Sequence, residues 1–100
     1  MHNIHFHPET SSEVNEAIEW YESKVPNLGI RFYNELMSSI ESIQENPHIW
    51  PKSLHNMNRY LLKHFPFGIF YEYNENEIQI NAIANLNRKP DYWAGRVSGT

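Results

Sequence analysis

One hundred residues with 40% hydrophobic and 14% aromatic content suit a single domain, residues 1–100, built around one core, with no room for a second. The absence of cysteine excludes a disulfide framework and a thiolate metal site. The net charge of -4 conceals a split of about -6 over residues 1–50 and +2 over 51–100, which puts cations for an anionic or acidic partner in the second half and solvated acidic helix faces in the first.

Met1 to Pro8 lacks the basic start and apolar run of a secretory signal, and no stretch approaches about 18 consecutive apolar residues, so a soluble, cytoplasmic chain without membrane contact is expected. His2 to His7 alternates Ile4 and Phe6 with polar neighbours, the period of a half-buried strand, and Pro8 stops it. Thr10-Ser11-Ser12-Glu13 has capping-box spacing and predicts a helix start, with Glu13 reaching back to the Thr10 backbone. Val14, Ala17, Ile18, Tyr21 and Val25 then share a helical face widened by Trp20, while Glu13, Glu16 and Glu19 are expected to face water.

Pro26-Asn27-Leu28-Gly29 is turn chemistry. A second helical stripe follows, Ile30, Phe32, Tyr33, Leu36, Ile40 and Ile43, and ends at Asn46-Pro47, because the residue before proline is pushed out of helical geometry. The two helices make an αα-hairpin. Residues 48–57 are turn-rich and are expected to anchor through Ile49 and Trp50. Three strand-like runs come next: Arg59–His64, Phe67–Tyr73 and Glu77–Ala84, the last two joined by the hairpin signal Asn74-Glu75-Asn76. In the last run Ile78, Ile80, Ala82 and Ala84 share one face, with Gln79, Asn81, Ile83 and Asn85 on the other. The apolar face needs a cover, and the helical hairpin is the amphipathic element that can supply it. The expected fold is α+β, in the order β-α-α-β-β-β, an antiparallel sheet covered on one face by a helical hairpin, with a short tail around Pro90 to Arg96.

Phe6-His7-Pro8-Glu9, Trp20-Tyr21-Glu22, Gly29-Ile30-Arg31-Phe32, Asn46-Pro47, Phe65-Pro66-Phe67-Gly68-Ile69 and Arg88-Lys89-Pro90-Asp91-Tyr92-Trp93 together resemble, in order and spacing, the RelE/ParE toxins of type II toxin–antitoxin systems. The match is best to the branch labelled plasmid stabilisation proteins. The resemblance spans nearly the whole chain and implies the β-α-α-β-β-β fold, a cognate antitoxin that wraps and neutralises the toxin, and a target in translation or DNA topology.

RelE-like members cut messenger RNA on the ribosome without metal, which demands a base, an acid for the leaving oxygen and cations for the transition state. ParE-like members inhibit DNA gyrase and need a binding surface instead. Where many nuclease relatives carry an arginine this chain has Gly68, and where many carry a histidine it has Asn85, which exchanges no proton near neutral pH. The acidic total also argues against a ribosome-seeking nuclease. The resemblance therefore implies a ParE-like gyrase inhibitor whose target-binding residues are Arg88, Lys89, Tyr92, Arg96 and Lys63. The alternative is a RelE-like ribosome-dependent endoribonuclease with Arg59, His64 and Arg88 as its catalytic set, and a third option is a toxin that has lost potency.

Other signals are weaker. His5 and His7 could hold a metal with His2, but the sequence positions no further ligand to complete the site, so no metal or cofactor is expected. Trp20, Tyr21, Phe32, Tyr33, Phe67, Phe70 and Tyr71 have core spacing. Trp93 is large enough to anchor the tail on the sheet, and Tyr92 could leave its hydroxyl exposed.

Overall fold

The computed structural model describes residues 2–88 and 92–96. The elements run β1 (Asn3–Phe6), α1 (Glu9–Lys24), α2 (Leu28–Glu45), β2 (Asn58–Leu61), β3 (Phe67–Tyr73) and β4 (Glu77–Asn85), with 3-10 turns at Leu54–Asn56 and Ala94–Arg96. The sheet order is β1-β4-β3-β2. β2, β3 and β4 form the expected antiparallel meander, but β1 pairs parallel to β4, so the sheet is mixed rather than antiparallel throughout. Both helices and the two strands β2 and β3 separate the two partners, and such a long connection is what brings a strand back along the direction of the first.

The start of α1 differs from the capping-box expectation. Pro8 already has helical geometry (φ -53°, ψ -33°), which suits a residue with no N–H to satisfy. Thr10 lies inside the helix with its hydroxyl donating to the His7 carbonyl (2.7 Å), while His7 Nδ1 accepts the Glu9 N–H (3.1 Å). Histidine, not threonine, takes an orphan donor of the first turn, and Glu13 is released for another use.

At the hairpin turn Asn27 adopts φ 72°, and the Glu22 carboxylate accepts the N–H groups of Asn27 (2.9 Å) and Gly29 (3.1 Å). A Cβ at Gly29 would stand 2.6 Å from the Ile18 carbonyl oxygen, so only glycine lets the helices approach this closely. On α2 the stripe divides: Phe32, Leu36, Ile40 and Ile43 are buried, whereas Ile30, Tyr33 and Met37 lie exposed on another face. The aromatic core consists of Tyr21, Phe32, Phe65 and Phe67, with ring centroids 4.8–6.2 Å apart. Trp20 stands outside it, 58% exposed with the Lys24 ammonium 4.1 Å from its ring centre.

The largest departure is in β4. Phe70 pairs with Ala82 and Tyr71 with Ile80, leaving Asn81 as an extra residue in a bulge. A one-residue insertion reverses the facing of everything beyond it. Ile78 and Ile80 face the helices as expected, but so does Ile83, while Ala82 and Ala84 turn to the opposite face beneath Phe70 and Trp93. The sheet therefore buries apolar side chains on both faces, one under the helices and one under Trp93.

Candidate functional site

A groove of about 640 Å³ runs between α1 and the far end of the sheet. Ala17, Phe67 and Ile83 are buried at its base, Trp20 and Pro66 stand on its rim, and Asn85, Asn87, Arg88 and Tyr92 close one end. That end is shaped by the turn after β4. The Asn85 side-chain oxygen accepts the Asn87 N–H (2.9 Å), its carbonyl accepts the Arg88 N–H (3.1 Å), and Leu86 N–H donates to the Pro66 carbonyl (2.8 Å). An asparagine that bonds the backbone two residues on is a preset turn, and it delivers Arg88 to the surface.

Beneath Arg88 lies a buried polar junction. The Glu13 carboxylate accepts the Ile83 N–H (3.0 Å), which lies beyond the end of β1 and has no strand there to bond. Its second oxygen accepts the Tyr92 hydroxyl and pairs with Arg96 Nη1 at 3.1 Å. Arg96 Nη1 also donates to the carbonyl of the bulged Asn81 (3.3 Å). The Glu13 and Arg96 side chains are only 8% and 14% exposed, so the pair is part of the interior. Burial first, and then the hydrogen bond to Glu13, push the Tyr92 phenol well above its ordinary range, so the hydroxyl stays a donor. The Arg88 guanidinium lies 4.0 Å from the centre of the Tyr92 ring, within cation–π range.

No family model and no curated protein matches this sequence. The structure is similar to a solved chain of the "Chromosomal ParDE TA system from P. aeruginosa", with a TM-score of 0.75 at 14% identity, covering 87% of this chain and 98% of that one. This chain has a RelE/ParE-like fold. Within that fold the groove brings together Arg88 and Tyr92 of the sequence-predicted set. Tyr92 does not leave its hydroxyl to solvent but gives it to Glu13, and Arg96 is engaged by Glu13 and Asn81 rather than presented at the surface. Lys89 lies outside the described residues. Lys63 is exposed two residues past the end of β2, and neither it, Arg59 nor His64 lines the groove.

The nuclease set is dispersed. Arg59 is half-buried on β2 opposite Phe70, on the face away from the helices. His64 lines a separate hollow of about 260 Å³ with Arg31, Asn34, Glu35 and Phe65. Its Nδ1 is 2.7 Å from Glu35, whose other oxygen accepts the backbone N–H groups of Lys63 (2.7 Å) and His64 (3.1 Å). At Gly68 a Cβ would meet Phe70 at 3.1 Å and Leu86 at 3.3 Å, so apolar side chains already fill the space beside this position.

Sequence reasoning missed Glu13, Glu16, Trp20 and Pro66 as groove residues. One signal for Glu13 was available: it precedes the buried Ala17 by four residues, one helical turn, and so borders the apolar stripe rather than opposing it.

The Glu35 clamp has a testable acid signature. Burial opposes ionisation of Glu35, but the His64 imidazole and the two backbone N–H groups outweigh it and hold the carboxyl below its ordinary value of 4.5. A depressed folded pKa contributes stability above the unfolded value that is lost as pH falls through the folded one. Urea midpoints measured from about pH 6 down to about pH 3 should therefore fall more steeply for the parent than for Glu35→Gln, the two curves converging at the acid end. Parallel curves would show that Glu35 does not carry the clamp.

Proposed function

We propose that this chain is the toxin of a type II toxin–antitoxin pair, a ParE-like protein of the cytoplasm that inhibits DNA gyrase by binding and is neutralised by a cognate antitoxin. The observation that carries the reading is the composition of the groove. Among the described residues it presents one surface arginine, Arg88, beside an apolar floor, contains no histidine, and has its inner carboxylate, Glu13, already engaged by Tyr92 and Arg96. Such a site suits recognition better than in-line cleavage of RNA, which needs proton transfer on both sides of a phosphate. The ParE-like fold and the uncharged Gly68 and Asn85 support the same reading. For the antitoxin, β1 lies at one edge of the sheet and offers its outer side for strand addition, and the groove offers an apolar seat for a helix.

In a supercoiling assay with purified gyrase, the parent protein should block supercoiling, and its induction in cells should trigger a DNA-damage response with bulk transcripts intact. Arg88→Ala should lower inhibition at least roughly tenfold while changing folding stability by under ~1 kcal/mol, because an exposed arginine contributes little to folding. Gyrase left fully active, together with translation-dependent cuts inside codons, would replace this reading with the ribosome-dependent endoribonuclease. Full potency of Arg88→Ala would remove Arg88 from the site.

A further inference from the structure

The geometry points to Glu13 as the residue that positions Arg88, acting through Tyr92 from beneath the groove. This rests on Arg88 being the contact residue of the proposed function. Arg88 is exposed, and a long side chain in that setting samples many rotamers that a partner would have to freeze. Here the guanidinium has a platform, the Tyr92 ring 4.0 Å away. A platform orders what lies on it only if it is itself held, and the ring is held at its far tip: the hydroxyl donates to Glu13 Oε2.

Glu13 is in turn held from three other directions. α1 carries its backbone, the Ile83 N–H of β4 fixes Oε1 at 3.0 Å, and Arg96 fixes Oε2 at 3.1 Å. The relay thus runs from the rigid helix and sheet through a buried carboxylate and a phenol to one surface cation. The ring of Tyr92 also lies 5.5 Å from the Arg96 guanidinium, so the two cations share one aromatic platform while only Arg88 is left at the surface. This arrangement also accounts for a carboxylate buried at a site that an ordinary helix would leave in water, since buried charge persists only where it is paired and hydrogen-bonded.

The test separates positioning from mere structure. Tyr92→Phe keeps the ring and removes the single link to Glu13, leaving the Glu13–Arg96 pair and the Ile83 hydrogen bond in place. Side-chain NMR relaxation at the Arg88 Nε–Hε group should then show its order falling towards that of an ordinary exposed arginine, while the near-UV circular dichroism of the Trp93 region stays that of the parent. Inhibition of gyrase should weaken by roughly three- to tenfold, the scale of ordering one long side chain on binding. Unchanged Arg88 order in Tyr92→Phe would overturn the relay. If Arg88 loosens in Tyr92→Phe but Arg88→Ala inhibits as well as the parent, the relay stands and the functional reading falls.

Discussion

Replacing Trp93 by alanine is expected to destabilise the fold by about 3–5 kcal/mol and to lower the melting temperature by roughly 12 °C or more. The indole is 2% exposed and stacks on Phe70 with ring centroids 4.3 Å apart and planes at 30°, while His55 meets its edge at 5.5 Å. With Met57, Ala82 and Ala84 it forms the apolar cluster on the sheet face away from the helices. Ala82 and Ala84 are too small to fill the space left by an indole, so the cavity would persist and Phe70 would be bared to water. Trp20→Ala is the matched control. That indole is 58% exposed, and its loss should cost no more than about 1 kcal/mol. Urea denaturation of both variants distinguishes the two tryptophans, and equal midpoints would show that the second cluster contributes nothing to stability.

Arg96→Ala is expected to cost about 3–5 kcal/mol, far more than a surface arginine, because it leaves the Glu13 carboxylate buried without its counter-ion. The Tyr92 hydroxyl and the Ile83 N–H would remain as hydrogen-bond donors, but neither carries a charge to balance it. The Asn81 carbonyl at the bulge would lose its donor as well. The double variant Glu13→Gln/Arg96→Met removes both charges together and should recover much of the loss, since a neutral, well-packed pair avoids the desolvation of either ion. Thermal unfolding of the single and double variants measures the difference. A single variant as stable as the parent would return Arg96 to the surface and to the target-binding set in which the sequence placed it.

Local periodicity determined most of the architecture. The order β-α-α-β-β-β, the stop at Asn46-Pro47, the hairpin at Asn74–Asn76 and the span Phe67–Tyr73 all follow from patterns that repeat within a few residues, and the structure reproduces them. Three decisions were beyond the reach of such patterns. Thr10-Ser11-Ser12-Glu13 has the spacing of a cap, yet Glu13 bonds Ile83 and Tyr92, which lie 70 and 79 residues further along the chain. A long-range hydrogen bond leaves no trace in local spacing. Strict alternation assigned Ala82 and Ala84 to the helix-covered face, and the bulge at Asn81 reversed them, because an inserted residue changes parity without changing composition. The charges of Arg88 and Arg96 were read alike from a stretch with no periodicity, and only the fold separated them. Arg96 meets a buried carboxylate, while Arg88 meets the face of a ring at the mouth of a groove, so the first is held in the interior by the cost of an unpaired buried charge and the second is left at the surface.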